Sequence, residues 1–455
     1  MKKYDAVIIG FGKGGKTLAG FLAGKGQNVA LIEKSDKMYG GTCINIGCIP
    51  TKKLVDSTKV LKNKGLSGIE EKERFYEESI NNKNKLIGAL RGKNYEMLAT
   101  KENIDIYDGF GSFASKNVVN IKSNGENVQI EGEKIFINTG STTIIPGIKG
   151  LKESNHVYTS TSIMELKELP KKLTILGAGY IGLEFASMYA DFGSEVTVID
   201  LAQRLMPRED EEIADRAKAI FEAKGIKFLL ESKIEEIIDK NGKGYVQISQ
   251  GASKSEIESD AILVAIGRKP NTEGLNLEAA GVKTDEKGAV IVDETLKTAA
   301  DNIWAMGDVV GGLQFTYISL DDSRIVKSQV LGEGERTTQN RGEVPYSIFV
   351  DPPFSRVGLT EKQALEAGYT IKKSVLPAQA IPKALVIGRP EGLLKAIIDE
   401  ETGKILGAHL FCAESQEMIN IIKMVMDANL PYTMLRDGIF THPTMSEALN
   451  DLFAL

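Results

Sequence analysis

The sequence predicts an α/β protein in which one βαβ unit occurs twice and a separate α+β domain completes the chain. Each unit reads as an apolar strand, a G-x-G-x-x-G turn, a helical stretch and a second apolar strand ending in an acid. The pattern changes near Gly342, after which a hairpin around Glu401-Thr402-Gly403 precedes an amphipathic segment over 415–427. A length of 455 residues also favours several domains.

The two βαβ units place their glycines and acids at equal spacing. The residues that define them are the strand 4–9, Gly10, Gly12, Gly15 and Glu33 in the first unit, and the strand 173–176, Gly177, Gly179, Gly182 and Asp200 in the second. In such a turn the first glycine permits the bend, the second lets the backbone approach a pyrophosphate, and the third lets helix and strand pack closely. The helix N-terminus attracts the phosphates, and the acid accepts hydrogen bonds from ribose hydroxyls. A single turn can be purely structural, but two complete units predict two Rossmann-like dinucleotide-binding domains.

After the first unit the sequence predicts a charged helical region over about 53–103, followed by alternating β-type segments. Turn signals stand at Ser123-Asn124-Gly125 and at Asp239-Lys240-Asn241-Gly242.

The formal net charge of −6 gives no reason to expect nucleic acid or an anionic membrane as a partner. No apolar run approaches the ~18 residues that span a bilayer. The short apolar stretch 6–9 runs directly into a glycine turn, so we expect a cytoplasmic protein.

The chain contains three cysteines, Cys43, Cys48 and Cys412, and their number suggests chemistry rather than a disulfide scaffold. A zinc site needs about four ligands, and the three histidines are scattered, so no metal site is expected. A static disulfide is rare in the cytosol. Cys412 ends an apolar strand pattern and is expected to be a buried hydrophobic residue. Cys43 and Cys48 can meet across a distorted helical turn and form a redox-active pair.

Two nucleotide sites and a dithiol predict electron transfer from a nicotinamide through a flavin to the cysteines. The first site is expected to bind FAD because the cysteine pair follows it directly, and the second to bind NADH or NADPH. Asp200 favours NADH because a carboxylate repels a 2′-phosphate. Arg204 and Arg208 leave NADPH open, although they are expected to be solvated surface arginines.

Five further motifs occur along the chain. They are Gly41-Thr42-Cys43 to Cys48-Ile49-Pro50-Thr51-Lys52, Asn138-Thr139-Gly140, Ile266-Gly267-Arg268-Lys269-Pro270-Asn271, Ala305-Met306-Gly307-Asp308 and His442-Pro443-Thr444-Met445-Ser446-Glu447. These motifs resemble those of the class I flavoprotein disulfide reductases, which include dihydrolipoamide dehydrogenase, glutathione reductase and mercuric reductase. The resemblance covers essentially the whole chain.

The resemblance implies a role for individual residues. Cys43 would be the interchange thiol that meets substrate, and Cys48 the charge-transfer thiolate against the flavin. Lys52 would lie near the flavin and pair with Glu184. Further cofactor-binding positions are implied at Gly41, Thr42, Gly111, Thr139, Gly140, Gly267, Asp308, Gln314, Phe315, Thr316 and Tyr317.

The resemblance also implies a homodimer with a shared active site. His442, held by Glu447, would be the acid/base that serves the cysteines of the other subunit. The expected domains are an FAD-binding domain at 1–150, an NAD(P)-binding domain at 151–269, a second part of the FAD and central domain at 270–341, and a dimerisation domain at 342–455.

A second set of segments comprises 8–13, 38–48, 302–308, 312–322 and 418–428. These segments are similar to a narrower bacterial group, the flavoproteins of reactive-chlorine resistance that act as hypothiocyanous acid reductases. The C-terminus lacks the vicinal cysteines of mercuric reductases. The expected substrate is therefore a small sulfur-reactive oxidant, most simply hypothiocyanous acid, with oxidative-stress defence as the role. Dihydrolipoamide dehydrogenase, glutathione reductase and a non-catalytic nucleotide-binding regulatory protein remain alternatives.

Overall fold

The computed structural model describes residues 1–123 and 125–455. They form two compact units, which are described separately. The first unit contains Met1–Leu54, Glu78–Ile144 and Gly267–Arg341, and the second contains Val55–Glu77, Ile145–Ile266 and Gly342–Leu455. The finer domain boundaries expected from the sequence stay predictions.

The strands are numbered in chain order. They are β1 (Lys2–Ile9), β2 (Val29–Glu33), β3 (Ile104–Asp108), β4 (Phe110–Phe113), β5 (Val118–Ser123), β6 (Glu126–Ile137), β7 (Ser141–Thr143), β8 (Val157–Thr159), β9 (Lys172–Leu176), β10 (Glu195–Ile199), β11 (Lys227–Leu229), β12 (Lys233–Lys240), β13 (Lys243–Gln250), β14 (Ser253–Ser259), β15 (Ala261–Val264), β16 (Arg268–Pro270), β17 (Ile303–Ala305), β18 (Tyr346–Ile348), β19 (Phe354–Gly358), β20 (Ile371–Pro377), β21 (Leu393–Asp399) and β22 (Ile405–Phe411).

The helices are numbered in the same way. They are α1 (Lys13–Gly24), α2 (Thr42–Asn45), α3 (Cys48–Asn63), α4 (Ile69–Ala99), α5 (Tyr180–Phe192), α6 (Glu211–Ala223), α7 (Thr316–Val330), α8 (Glu361–Glu366), α9 (Pro382–Val386), α10 (Ser415–Asp427), α11 (Thr433–Arg436) and α12 (Ala448–Leu452). Short 3₁₀ helices occur at Asp36–Met38, Ser162–Glu165, Leu277–Ala280, Gly307–Val310, Thr338–Asn340 and Ala378–Ala380.

The first unit is built on a sheet with the order β3-β2-β1-β6-β5-β4, in which β17 also pairs with β6. The strands β3, β2, β1, β6 and β17 pair with one another in parallel, whereas β5 pairs antiparallel with β6 and with β4. Ala6, Val7 and Ile8 in β1 are all 0% exposed, because both faces of a central parallel strand are covered. The helices that follow β1 and β17 therefore bring their N-termini to the same edge of the sheet.

The second unit contains a parallel sheet with the order β11-β10-β9-β15-β8, an antiparallel sheet β12-β13-β14, and an antiparallel sheet β18-β19-β22-β21-β20. In the last sheet, β21 and β22 bury Leu394, Ala396 and Ala408 against the helix α10. This region is the predicted C-terminal α+β domain, and the predicted α/β fold with two Rossmann-like sheets is confirmed.

The predicted helices and turns agree with the structure to different degrees. The amphipathic segment over 415–427 is the helix α10, with Met418, Ile419 and Ile422 buried. The helical region predicted over about 53–103 begins earlier, at Cys48, and is interrupted between α3 and α4. The turn at Asn241-Gly242 joins β12 to β13. In the turn predicted at Ser123-Asn124-Gly125, Asn124 lies outside the described residues.

Candidate active site

The first glycine turn joins β1 to α1 under tight steric limits. Gly10 has φ +109°, and a Cβ placed on it would lie 2.3 Å from the Asn138 carbonyl oxygen. A Cβ on Gly15 would lie 2.2 Å from the Gly10 carbonyl oxygen, which accounts for the third glycine of the motif. Glu33 accepts a hydrogen bond from the Phe11 amide at 3.0 Å. Burial raises the pKa of Glu33, and the amides of Phe11 and Lys34 oppose that shift.

The second glycine turn repeats this geometry between β9 and α5. Gly177 has φ +107°, and its Cβ would lie 2.6 Å from the Ala265 carbonyl oxygen. A Cβ on Gly182 would lie 2.0 Å from the Gly177 carbonyl oxygen. Asp200 accepts hydrogen bonds from the amides of Ala178 and Ala202, at 2.6 and 2.7 Å. Both acids therefore hold the turn that precedes them and keep lone pairs for ribose hydroxyls.

The loop after β10 engages one of the two arginines. The Arg204 side chain is 38% exposed, and its guanidinium donates to the carbonyl oxygens of Pro207 and Glu209 and pairs with Glu211 at 3.1 Å. Arg208 is exposed, as expected. The guanidinium that could have met a 2′-phosphate is thus engaged in folding its own loop.

The side chain of Asn138 joins several motifs of the first unit. Its Oδ1 accepts from the Gly15 amide at 2.8 Å, and its Nδ2 donates to the Met306 carbonyl oxygen at 2.7 Å. Ser319 Oγ, 3.3 Å from the same Nδ2, accepts from the Gly14 amide at 3.1 Å. Asn138 is only 6% exposed, so these hydrogen bonds are shielded from water and fix the glycine turn against β17 and α7.

The segments around Thr139 and Asp308 meet at the same edge of the first unit. Thr139 Oγ1 donates to the Asn271 carbonyl oxygen at 2.8 Å. Asp308 accepts from Ser141 Oγ at 2.7 Å, and Arg268 Nε donates to that Oγ at 2.9 Å. Burial lowers the pKa of Arg268, and the charges of Asp308 and of the Cys48 thiolate act against it.

The other predicted glycines of the first unit are explained either by close approach or by a positive φ angle. A Cβ on Gly41 would lie 2.6 Å from Gly12 Cα, so the cysteine loop lies directly against the glycine turn. Gly111 faces side chains of β1 and β2, while Gly267 and Gly140 have φ +127° and +71°. No described atom lies within 4 Å of a Cβ on Gly140.

Cys43 and Cys48 are both thiols in this structure and lie on either side of a helix break. Cys43 belongs to the short helix α2, and Cys48 is the first residue of α3. The Cys48 sulfur lies 3.4 Å from Thr316 Oγ1. Cys43 is partly exposed and Cys48 exposed, so a small electrophile can reach the pair. As predicted, Cys412 is buried, and burial raises the pKa of its thiol to about 12.

The two thiols differ in electrostatics. The pKa of Cys43 is raised, first by its hydrogen bond to Cys48 and then by burial, while Thr316 and Lys16 act to lower it. Cys48 stands at the N-terminus of the 16-residue helix α3, where the helix dipole stabilises a thiolate. In the dithiol the negative charge is thus better placed on Cys48.

Residues 314–317 lead into the helix α7. Phe315 is the residue before its first turn, and its ring stacks on Tyr317 with 5.1 Å between centroids and 8° between planes. Gln314 precedes them and is half-buried. Burial raises the pKa of the Tyr317 hydroxyl well above its usual value, and the Cys48 charge adds to the shift.

Lys52 and Glu184 lie on α3 and α5. Lys52 is half-buried in the second turn of α3. Glu184 accepts a hydrogen bond from the Phe349 amide at 2.8 Å. Their pairing, which the family resemblance implies, stays a prediction.

His442 is held by Glu447, as the sequence predicts for an acid/base. Its Nδ1 lies 2.8 Å from Glu447 Oε2, and the imidazole side chain is 66% exposed. The carboxylate fixes the tautomer with a proton on Nδ1, which leaves Nε2 directed to the surroundings. The neighbouring Ile439 is 101% exposed.

Some residues with a structural part in the site were missed by the sequence reasoning. Asn138 was noted only as part of a motif, and Ser319 and Lys16 were not considered. Their partners are distant in the chain, as with Gly15 and Asn138 or Gly14 and Ser319. His409 was counted only among the three scattered histidines, yet it is fully buried beside Asp210 and Glu209.

The residues present fit FAD on the first glycine turn and a nicotinamide dinucleotide on the second. The two turns have the strained glycines and the acids that such ligands require. Gly10, Gly12, Gly15, Glu33, Thr42 and Asp308 would hold FAD, and Gly177, Gly179, Gly182 and Asp200 the coenzyme. None of the described helices is long and apolar enough to cross a membrane. Within residues 1–123 and 125–455, no group of three potential metal-binding His, Cys, Asp or Glu side chains comes together.

Comparison with known proteins agrees with this description. The chain matches the family described as pyridine nucleotide-disulphide oxidoreductase over residues 4–323, and that family's dimerisation domain over 344–453. It is 51% identical over 455 residues to the probable pyridine nucleotide-disulfide oxidoreductase RclA of Escherichia coli (strain K12), covering 100% of both chains. It is 34% identical over 452 residues to a mercuric reductase of Staphylococcus aureus, covering 98% of this chain and 81% of the other.

A solved structure gives the same result. The Cu(II) complex of the HOCl-induced flavoprotein disulfide reductase RclA from Escherichia coli superposes with a TM-score of 0.94 at 52% identity. The comparison covers 100% of this chain and 99% of that one.

Proposed function

The chain belongs to the pyridine nucleotide-disulphide oxidoreductase family, and on this premise we propose that it reduces hypothiocyanous acid through Cys43 and Cys48. It is an oxidoreductase, a flavoprotein disulfide reductase of a family that uses FAD and NAD(P)H. The observation that carries the proposal is the thiol pair itself. The Cys43 thiol on α2 is hydrogen-bonded to Cys48 at the start of α3, and both residues are exposed enough for a small electrophile to reach them.

The reaction follows from the positions of the two thiols. The Cys43 thiolate attacks the sulfur of hypothiocyanous acid, forms an S–S bond to the SCN group and releases hydroxide, which takes a proton to become water. The Cys48 thiolate then attacks the Cys43 sulfur, closes the Cys43–Cys48 disulfide and releases thiocyanate. When bound, FAD carries the electron pair of NAD(P)H to that disulfide. Each cycle thus consumes one NAD(P)H and one oxidant molecule.

A small oxidant suits this thiol pair for a chemical reason. Thiolate nucleophilicity and access set the rate of exchange, so a compact electrophile needs few binding contacts. Thiocyanate is a stable anion that leaves without a proton. The acid/base His442 is therefore less important here than in a reaction that must protonate a departing thiol.

Side-by-side turnover of lipoamide, oxidised glutathione and hypothiocyanous acid by the FAD-loaded enzyme tests the proposal. We expect the highest kcat/KM for hypothiocyanous acid. A kcat/KM well above it for lipoamide or glutathione disulfide would instead support dihydrolipoamide dehydrogenase or glutathione reductase. Absence of any NAD(P)H-dependent reduction would support a regulatory nucleotide-binding protein.

The roles of the two cysteines need a separate spectroscopic test. Cys48→Ser should keep FAD but lose the long-wavelength thiolate-to-flavin charge-transfer band, because the helix dipole favours a thiolate at that position. Cys43→Ser should keep the band and lose turnover. If the reduced Cys48→Ser enzyme kept the band, the two roles would have to be exchanged.

We further propose a homodimer in which His442 serves the cysteines of the other subunit. The dimerisation domain is present, and the exposure of His442 and Ile439 supports a contact outside the chain's own core. Dimers mixed from Cys43→Ser and His442→Ala subunits test this with glutathione disulfide or lipoamide, whichever is turned over. Mixed dimers should retain one intact site and exceed both parent variants, whereas a site within one chain predicts no such recovery.

Cu(II) is a second candidate electron acceptor. It is supported by the solved Cu(II) complex of RclA, to which this chain is 52% identical. Thiolates are soft ligands that select Cu(I), the product of this reduction. Production of Cu(I) at the expense of NAD(P)H, lost in Cys43→Ser, would support this activity beside that on hypothiocyanous acid.

A further inference from the structure

Lys16 is a charged residue of the first unit that the glycine motif does not explain. The turn requires only Gly10, Gly12 and Gly15, and the position after the third glycine is free in the motif. Lys16 lies in the first turns of α1 and is only half-exposed. A lysine that gives up part of its hydration in this way needs a compensating interaction.

The Lys16 ammonium group is fixed in place by Asn94 on α4. Lys16 Nζ donates a hydrogen bond to Asn94 Oδ1. Asn94 is 8% exposed, and its Nδ2 donates to the Leu90 carbonyl oxygen at 2.7 Å. An amide whose oxygen and nitrogen are both engaged cannot rotate freely, so it holds the cation at one position.

That position is beside the cysteine loop. A Cβ on Gly40 would lie 3.4 Å from the Asn94 side-chain carbon, and one on Gly41 2.6 Å from Gly12 Cα. The loop that carries Cys43 therefore packs against Asn94, which anchors the lysine, and against the glycine turn that precedes Lys16. The Lys16 charge interacts with the Cys43 thiol and acts to lower the thiol's pKa.

The groups around the Lys16 ammonium and the Cys43 thiol determine the protonation of both. Lys16 faces Lys13 on α1 and Cys43 on α2, and Cys43 faces Cys48 on α3 and Thr316 on α7. Burial first, and the like charge of Lys13 second, lower the pKa of Lys16 to about 8. Lys16 therefore still carries its proton at neutral pH, and its field at Cys43 fades as the pH rises through about 8.

We propose that Lys16 is a positioning residue of the reductase reaction, whose ammonium group, anchored by Asn94, stabilises the Cys43 thiolate. The inference rests on the proposed role of Cys43 as the attacking thiol. The hydrogen bond to Cys48 and burial disfavour a thiolate at Cys43. Lys16 supplies a fixed positive charge that opposes this effect. The chain thereby activates its own thiol with a group that belongs to the same subunit.

The test measures thiolate formation without the oxidant. In the FAD-loaded Cys48→Ser enzyme, iodoacetamide alkylation of Cys43 is followed by mass spectrometry from about pH 5 to about pH 9. Lys16→Gln should raise the apparent pKa of Cys43 by about one unit and slow alkylation at neutral pH about tenfold. Lys16→Arg should restore the rate because it restores the charge.

Two further variants separate the charge from the fold. Lys93→Gln removes the same charge from an exposed position next to Asn94 on α4 and should leave the profile unchanged. Asn94→Asp keeps Lys16 but neutralises its field, so it should also slow alkylation. The flavin absorbance of each variant reports that the holoenzyme is intact.

The proposal is overturned if Lys16→Gln alkylates like Lys93→Gln, or if Lys16→Arg is as slow as Lys16→Gln. If Lys16→Gln loses its flavin, the Asn94→Asp profile decides by the same criterion. Should Cys43→Ser retain turnover, the proposed role of Cys43 fails. The alkylation profiles still report on the effect of Lys16.

Discussion

The two glycine turns share a backbone but differ in what supports them. At the first turn a Cβ on Gly12 would lie 2.7 Å from Asn138 Oδ1, whereas no described atom lies within 4 Å of a Cβ on Gly179. The first turn is closed by a neutral amide that reaches two other motifs. The second is left open at its middle glycine. The motif therefore specifies the bend, while side chains from distant segments decide how closely the rest of the protein packs on each turn.

The second turn is supported by an ionic cluster instead of an amide. Tyr180, the first residue of α5, donates from its hydroxyl to Glu209 at 2.7 Å, and its ring stacks on Tyr346 at 5.6 Å. Glu209 pairs with Arg356 at 3.3 Å, and His409 lies 3.8 Å from the same carboxylate. One nucleotide turn thus depends on neutral hydrogen bonds and the other on charges.

The largest expected effect is that of Asn138→Ala. It leaves the buried Gly15 amide and Met306 carbonyl without their partner, at about 1–3 kcal/mol for each group. The melting temperature and the amount of FAD retained after gel filtration should both fall clearly below the wild-type values. Asn138→Asp, which can accept from Gly15 but cannot donate to Met306, should be intermediate. If the Asn138→Ala protein kept the wild-type melting temperature and flavin content, the Asn138 side chain would not be what supports the first glycine turn.

The same substitution at the two middle glycines should give different results. Gly12→Ala places a methyl group against Asn138, so it should lower the stability by about 1–3 kcal/mol and reduce the amount of bound flavin. Gly179→Ala places its methyl group where no described atom lies within 4 Å, so stability and flavin content should stay at the wild-type level. It should raise the KM for the coenzyme, because the methyl group stands where the pyrophosphate approaches. Equal losses of melting temperature would show that the turns are not supported differently.

Protonation should affect the second unit through His409. Burial, as the largest cause, lowers the pKa of His409 to about 4 from 6.5. The unfolded chain therefore binds a proton that the folded chain does not, and stability is lost as the pH falls below about 6.5 towards 4, by up to about 3 kcal/mol. His409→Gln should flatten the pH dependence of the melting temperature between these pH values. An unchanged slope in His409→Gln would assign the acid sensitivity to other groups.

The smallest expected effect concerns coenzyme choice at the open turn. We expect a higher kcat/KM for NADH than for NADPH, by about tenfold, which corresponds to about 1.4 kcal/mol of charge repulsion. Asp200→Asn should narrow this ratio. Arg204→Gln should not change it, because Arg204 is engaged with Glu211. A clear preference for NADPH would show that groups other than Asp200 dominate.

Local features of this molecule were predictable, and contacts between distant segments were not. The glycine turns and the helix at 415–427 follow from short patterns, because bend and amphipathic spacing are encoded within a few residues. Asn138, Ser319 and Asn94 act on residues far away in the chain, so no spacing could reveal them. His409 was missed for the same reason, since its charged neighbours lie on other segments. The hydrogen bonds that Arg204 makes within its own loop were likewise not predictable from the sequence.

The buried Cys412 provides the chain with an internal reference for counting thiols. Its sulfur is shielded and its pKa raised to about 12, so thiol reagents should not reach it in the native protein. A native titration then reports only on Cys43 and Cys48, and the same sample after denaturation adds one further equivalent. The oxidation state of the redox pair can thereby be read as a ratio within a single molecule, independent of protein concentration.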